Sequence, residues 1–342
     1  MKGTTIYDVA KEAGVSIATV SNVINGKGNV GKKKREEIFK VMERLQYKPS
    51  VIASALMGKK TYTLGLLIPD VSNPFFSEIA RAVEDMAHEE GYSVIVCSTD
   101  NNDERIEKYI KLLEQKSVDG LLIGTGVENA NIIAQLSENS VPIVMIARET
   151  PDITVHRVLT DDFKGGSLAA GHLLQLGHEN VAILLENAKF SSSKERVRGF
   201  RFALFEAGKT LDDERIVACQ STIMDGKRAA TTLLTGPNPP TAIFCCNDML
   251  AIGALQAARE CGVRVPEQLS IIGFDNTILS TVTNPTLTTI AQPTDEMAKL
   301  AFGLLLSSPD EGSEDIKQRI VMEPKLIERE STGPVQHEAA GC

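Results

Sequence analysis

Along positions 6–24 the apolar residues fall at helical spacing: Ile6, Val9 and Ala10, then Val15, Val20, Val23 and Ile24, with polar residues between them. Thr5 with Asp8 three residues on lets a side-chain oxygen and a carboxylate satisfy backbone donors at a helix start, which predicts a first helix over about 6–13. Gly14 can take the left-handed conformation that closes this helix, and Ser16 stands where it caps the next. The apolar positions form a shared inner face, while Ile17, Ala18, Ser21, Asn22 and Asn25 lie away from it. A third helix is predicted from Lys32, Lys33, Lys34 and Arg35 onward, with Ile38, Val41, Met42 and Leu45 closing a three-helix core.

After Lys59 and Lys60 the pattern changes to short continuous apolar runs. LGLLIP, YSVIVCS, GLLIGT and PIVMIA read as buried strands, separated by amphipathic helices near 75–90, 103–116 and 129–139. From about Val158 a second set follows, with NVAILLE, RIVACQ, TAIFCCN and LSIIGF alternating with helices near 163–176, 193–208, 226–234 and 250–262. This alternation predicts two doubly wound parallel α/β units in tandem. TTIAQP, the helix after it and RIVMEP suggest a chain that returns to the first unit, and the residues from about Gly333 to Cys342 read as a disordered tail. Ligands of open α/β sheets bind beyond the carboxyl ends of the strands, so two facing units enclose a crevice.

Charge divides the chain in the same place. Its 342 residues exceed what one core organises, and they carry a net charge of −9. Residues 1–60 hold twelve Lys and Arg against five Asp and Glu, a local +7, leaving −16 for the remainder. A helix pair alone is as compatible with an ordinary helical hairpin as with nucleic-acid binding. Clustered cations on an otherwise acidic body favour DNA, with the footprint confined to this module. The six cysteines (Cys97, Cys219, Cys245, Cys246, Cys261 and Cys342) have no metal-type or CxxC spacing and read as small buried hydrophobes. The five histidines (His88, His156, His172, His178 and His337) show no HxxxH or HxH spacing. GTGVEN fails the dinucleotide fingerprint at its last position, and no P-loop or GxSxG occurs. No catalytic residue, metal or cofactor is expected. Neither a signal-type apolar run nor a long uncharged apolar stretch appears, which points to the cytosol.

TIYDVAKEAGVSIATVSNVING, then YKPSVIASALMGKKT, then GLLIPDVSNPFF, and later SIIGFDNT with PTLTTIAQP resemble the LacI/GalR family of bacterial transcription regulators, in the family's order and spacing from about Thr4 to about Ser331. The resemblance implies a small all-α helix-turn-helix domain on an α/β two-lobed periplasmic-binding-protein-like core. It divides the chain into a headpiece over 1–48, a hinge helix and linker over 49–60, a core over 61–332 and a tail over 333–342. Within the core, three crossovers place about 61–160 with 292–323 in one subdomain and about 161–291 with 324–332 in the other. The implied function is a homodimeric, effector-controlled regulator, most readily a repressor, on a near-palindromic operator. Association into a tetramer and docking of a phosphorylated carrier protein are further family options. A solute-binding protein of a transporter is the rival, because it shares the two-lobed core, and the basic headpiece and missing signal peptide argue against it. A doubly wound enzyme is a distant third reading.

The resemblance also places the residues. Asn22 stands where the family usually has a guanine-reading arginine, and its amide suits adenine. Ile17 and Ala18 offer apolar contacts to bases, and Thr5, Tyr7, Ser16, Thr19, Ser21 and Asn25 complete the DNA surface, several of them as phosphate contacts. Paired hinges would enter the minor groove, Leu56 wedging between base steps and Ala53 on the groove floor. Basic residues that the family often has at the positions of Ser54 and Met57 are absent, with Lys48, Lys59 and Lys60 partly compensating. The crevice candidates are Phe75, Arg196, Asn247 and Asp275, with Asp161 and Asp162 from a similar loop. A plain turn cap is the alternative for Asp275. Ser221 falls where the family often has an aromatic ring, and the chain has no tryptophan, which weakens a simple sugar assignment.

Overall fold

Thr5 opens the first helix in the way its spacing predicts: its backbone N–H and its hydroxyl both donate to Asp8 Oδ2, at 2.8 and 2.7 Å. These bonds hold the Asp8 carboxyl below its usual pKa. The structure is a computed structural model that describes residues 4–24, 28, 30–47, 60–127, 129–138, 141–150, 153–186, 188–307 and 316–336. It divides into two units, Met1–Thr61 and Tyr62–Cys342.

In the first unit, helix α1 (Ile6–Glu12) ends at Gly14, whose φ of +63° suits a residue without Cβ and lets the Val15 N–H reach Ala10 O at 3.0 Å. Ser16 Oγ then accepts the Thr19 N–H at 3.1 Å and caps α2 (Ile17–Ile24). With α3 (Lys32–Arg44), these helices bury Val9, Ala10, Val20, Val23, Ile38, Val41 and Met42 in one cluster, and Ile6, Val15, Ile24 and Leu45 pack partly buried against it. Not all of the basic run faces water. Lys34 Nζ donates to Ala13 O at 2.9 Å and pairs with Glu37 at 3.0 Å, so it ties α3 to the carbonyl end of α1.

The second unit runs β1 (Thr63–Ile68), α4 (Pro74–Glu89), β2 (Ser93–Ser98), α5 (Asp103–Gln115), β3 (Gly120–Ile123), α6 (Ala130–Glu138), β4 (Ile143–Ile146), β5 (His156–Thr160), α7 (Asp162–Gln175), β6 (Val181–Leu185), α8 (Ser191–Glu206), β7 (Ile216–Ala218), α9 (Ile223–Leu234), β8 (Ala242–Cys245), α10 (Asp248–Glu260), β9 (Ser270–Asp275), β10 (Thr288–Ala291), α11 (Thr294–Leu306), β11 (Arg319–Met322) and β12 (Lys325–Ile327). Among the described residues the strands make two six-stranded sheets, ordered β11-β5-β4-β3-β1-β2 and β12-β10-β9-β8-β6-β7. All pairings are parallel except β10 with β12, which is antiparallel. The chain crosses between the sheets after β5, after β10 and after β11.

Each sheet is buried on both faces, which is why its strands read as unbroken apolar runs. In the first lobe Ile79 and Val83 of α4 with Met297 and Ala301 of α11 cover one face, and Ile106, Ile110 and Leu113 of α5 the other. In the second, Leu173 of α7 with Phe200 and Leu204 of α8 cover one face, and Ala230 of α9 with Leu250 and Leu255 of α10 the other. Strand β5 lies in the first sheet, although Val158 on sequence grounds opens the second set; its residues are buried on both faces like those of its neighbours, so local pattern carries no sheet label. Gly333 and Val335, expected in the tail, are docked: the Gly333 N–H donates to Ser270 Oγ at 3.0 Å and the Val335 N–H to Leu176 O at 2.9 Å. His178 joins this docking, its ring nitrogens 3.0 Å from Thr241 Oγ1 and 2.9 Å from both Ser270 Oγ and Gly333 O. Cys97, Cys245 and Cys246 are buried free thiols, and burial pushes Cys246 up to about 12. Among the described residues no helix is long and apolar enough to cross a membrane.

One close approach governs the second lobe. A Cβ on Gly166 would stand 1.9 Å from the Arg196 carbonyl oxygen, and one on Gly199 equally 1.9 Å from the Phe163 carbonyl oxygen. Backbones of α7 and α8 touch here because neither residue has a side chain. Gly166→Ala should therefore cost about 1–3 kcal/mol of stability by overpacking. Gly171→Ala, also in α7 but with nothing within 4 Å of its added Cβ, should be neutral or slightly stabilising. Urea midpoints of the two variants measure the difference, and equal midpoints would contradict it.

Candidate functional site

In the first unit the outer face of α2 is the open one. Ile17, Ala18 and Asn22 are exposed, as is Tyr7 of α1, and the Asn22 amide lies beside Gly28. Ser21 is half-buried. Ser16 Oγ and Thr19 Oγ1 are 2.9 Å apart, and the Thr5 hydroxyl is held by Asp8, so these hydroxyls already serve the helix starts. Asn25, Ala53 and Leu56, with residues 49–59 of the hinge and linker over 49–60, lie outside the described residues. Lys32 and Lys33 are exposed. The surface so formed is a short helix with an uncharged outer face and cations nearby in sequence, a form that fits a major groove.

In the second unit the carboxyl ends of the strands converge on Arg196. The α7–α8 approach sets its guanidinium against the start of α7: Nε donates to Asp162 Oδ1 at 2.7 Å, Nη1 donates to the Cys246 carbonyl and lies 3.9 Å from Asp275 Oδ1, and Cζ stands 3.6 Å from the centre of the Phe274 ring. Burial pushes the Asp162 and Asp275 carboxyls up, and the Arg196 charge pulls both back. Two carboxylates thus share one buried cation. Asp275 is no turn cap: its Oδ1 accepts from Gln292 Nε2 at 2.7 Å, and Gln292 Oε1 accepts from Thr160 Oγ1 at 2.7 Å. Asn247 does double duty, Oδ1 capping α10 through the Leu250 N–H at 2.9 Å and Nδ2 donating to Ser221 Oγ at 2.7 Å. Asp161 caps α7 through the Lys164 N–H at 2.8 Å.

Phe75 is placed differently. It is packed in the core of the first lobe, its ring 5.0 Å from that of Phe76 and edge-on to it, and lines neither of the two cavities described below. The aromatic group at the crevice is instead Phe190. It borders a cavity of about 850 Å³ that runs from Asp100 and Asn101 past Glu186 to Ser221, and another of about 650 Å³ toward Arg148 and Arg319. Arg148, overlooked in the sequence, bridges the lobes: it donates to Asn101 Oδ1 at 3.0 Å and to Glu186 Oε1 at 2.7 Å, with its Cζ 4.2 Å from the Phe190 ring centre. Asn101, Arg148 and Glu186 each lie within three residues of the end of a parallel strand, as Asn247 does, a position that many other residues share. Backbone strain marks the same ends. Asp100, Asn101, Ala147, Asp275 and Asn276 have φ between +51° and +115°, conformations that cost side-chain-bearing residues about 1–3 kcal/mol each and gather where ligands are held.

A helix-turn-helix unit joined to a two-lobed core with a polar crevice at its strand ends defines a ligand-controlled DNA-binding protein. The chain belongs to the LacI family: residues 5–50 match the model of "Bacterial regulatory proteins, lacI family", and residues 61–320 that of "Periplasmic binding proteins and sugar binding domain of LacI family". It is 44% identical over 335 residues to the HTH-type transcriptional regulator DegA of Bacillus subtilis, covering 97% of this chain and 99% of DegA. It is 36% identical over 330 residues to catabolite control protein A of Priestia megaterium, covering 96% and 99% of the two chains. The lac repressor dimer bound to operator and the anti-inducer ONPF superposes with a TM-score of 0.85 at 28% identity, over 97% of this chain and 100% of that one.

Arg196→Ala should leave two buried carboxylates without their cation and lower core stability by about 3–5 kcal/mol. Adding Asp162→Asn should restore part of the loss, since one of the stranded charges goes. Urea denaturation of both variants tests this, and an unchanged midpoint for Arg196→Ala would show that the cluster is not ion-paired.

Proposed function

We propose that the chain is a transcriptional repressor that binds a pseudo-palindromic operator as a dimer, its affinity modulated by a small molecule held between the lobes of the core. One observation carries the reading: a single chain joins an exposed, uncharged recognition face on α2 to a crevice built around the buried Arg196 cluster. The division of labour follows the chain, with 1–48 as headpiece, 49–60 as hinge and linker, and 61–332 as effector-binding and dimerisation core. On the DNA side Thr5, Tyr7, Ser16, Thr19, Ser21 and Asn25 hold register, Ile17, Ala18 and Asn22 read bases, and Ala53 and Leu56 of the hinge enter the minor groove. On the effector side Asp162, Arg196, Ser221, Asn247 and Asp275 form the binding wall, with Asp161 behind them as the cap of α7 and Phe75 supporting from the core.

The ligand acts by favouring one relative arrangement of the lobes, and so of the paired hinges. In this reading the ligand is bound and released unchanged. The protein works beside the chromosome in the cytosol. Tetramer formation and a phosphorylated carrier protein are additions that this reading does not need. The solute-binding alternative is left without a use for the headpiece.

The test is operator binding by selected-site sequencing and fluorescence anisotropy. The full chain should bind one palindromic class of site, with log affinity falling steeply against log salt at about 0.9 per phosphate neutralised. A chain beginning at Tyr62 should not bind, and retained operator affinity there would refute the assignment of the headpiece. Asn22→Arg should shift preference toward guanine at one symmetric position by about 1–3 kcal/mol, and an unchanged logo would remove Asn22 from base reading.

A further inference from the structure

One side chain of the first lobe stands between the two cavities at the strand ends. Arg148 borders the smaller, its partners Asn101 and Glu186 border the larger, and the Phe190 ring borders both. The Arg148 side chain is 7% exposed and that of Glu186 12%, so the pair lies within the crevice and not on its rim. Each lobe holds a part of the guanidinium. From the first lobe, Asn101 Oδ1 accepts from Nη1 at 3.0 Å, and the Phe76 ring of α4 is centred 5.4 Å from Cζ. Ala147, with φ at +62°, turns the chain just after β4 and sends Arg148 toward these groups. From the second lobe, Glu186 Oε1 accepts from Nη2 at 2.7 Å, and the Phe190 ring is centred 4.2 Å from Cζ. Arg148 is thus placed by its own lobe and closes on the other.

The forces on the pair favour contact. Taking an arginine and a carboxylate out of water is unfavourable, and their mutual attraction alone does little more than offset that loss. Three further contacts act on this cation: the Asn101 amide oxygen and the two ring faces. A guanidinium is also more weakly hydrated than an ammonium, so it gives up its water more readily. A second bond joins the lobes elsewhere, where Glu78 Oε1 of α4 accepts the Ile278 N–H at 3.1 Å. Neither of its residues touches Arg148 or Glu186 through a charge, so the Ile278 amide reports the arrangement of the lobes independently of the pair.

We propose that Arg148 is a built-in latch, which holds the lobes in contact across the crevice with no molecule bound and so sets the resting affinity of the chain for its operator. The consequence is a competition. A molecule that enters the crevice must take Asn101 and Glu186 from Arg148, instead of drawing together the walls of an open cleft. The inference rests on the regulator reading for the operator affinity alone, since the latch itself is a property of the core.

Hydrogen exchange of the full chain, with no ligand added, reads the latch at the Ile278 amide. Arg148→Met combined with Glu186→Gln removes both charges and strands neither. It should speed exchange at Ile278 about tenfold or more, while Ile183 of β6 and Phe244 of β8 keep their protection. Arg148→Lys keeps a cation but loses the planar fork, so it should speed exchange by a smaller factor, and it guards against misfolding of the first variant. Parent-like exchange at Ile278 in a variant whose sheet stays protected overturns the latch. Operator anisotropy on the same samples, again without ligand, should shift by about fivefold or more in the double variant and in the same direction, by less, in Arg148→Lys. Faster exchange with unchanged operator affinity overturns the claim on resting affinity. If the parent itself binds no operator, the regulator reading fails, and exchange at Ile278 still decides the latch.

Discussion

A buried arginine between two carboxylates is costly to build and costly to break. Arg196 survives in the core because everything around it is arranged to satisfy it: Asp162 from the start of α7, the Cys246 carbonyl at the end of β8, Asp275 at the end of β9, and the Phe274 ring beneath. Each partner comes from a different element, so the guanidinium fixes the relative positions of α7, α8, β8 and β9 at the ends where they meet the crevice. The glycine contact between α7 and α8 is the steric precondition. Were Gly166 or Gly199 to carry a side chain, the helices would separate and the Nε to Asp162 distance of 2.7 Å would lengthen with them.

Much of this was legible in the residues because it is local. The cap at Thr5, the left-handed Gly14, the three-helix core and the strand runs follow from spacing and side-chain chemistry alone, and α1, α2 and α3 have the predicted buried faces. Arg196, Asn247 and Asp275 are placed by the family resemblance, and the loops that follow strands agree with it. What was missed is non-local. Arg148 has no distinguishing neighbours in sequence, and its bonds to Asn101 and Glu186 span 47 and 38 residues. Phe75 shows the same limit: a ring at a strand-to-helix turn can face the crevice or the core, and the packing of α4 on the first sheet places it in the core. Asp162 is the nearest carboxylate to Arg196 because helix crossing, not spacing, brings them together.

The same non-local pairs determine how the lobes communicate. Arg148 to Glu186 is an ion pair across the crevice with both side chains nearly buried, and the Glu78 carboxylate accepts the Ile278 N–H at 3.1 Å from the other lobe. Both contacts belong to one arrangement of the lobes and would be lost in another. A molecule that enters the crevice alters the balance only in so far as it interacts with the two arrangements differently. Tight binding alone changes nothing.

Gln292 places that balance in the chain itself. It lies on the crossover after β10, donates to Asp275 and accepts from Thr160, which ends β5 at another crossover. The third crossover is held close by, the Asp161 N–H donating to Met322 O at 2.8 Å. One amide therefore joins the Arg196 cluster to the segments about which the lobes must turn. Asp275 has Arg196 as an ion-pair neighbour at 3.9 Å and Gln292 as its hydrogen-bond donor, so in the proposed reading a ligand hydroxyl that competed for Oδ1 would weaken the Gln292 bond and loosen the crossover. A device of this kind requires no moving helix and no strain beyond the φ of +115° already stored at Asp275. On that reading, occupancy of the polar wall is felt at the crossover through the Asp275–Gln292–Thr160 bonds, each 2.7 Å long.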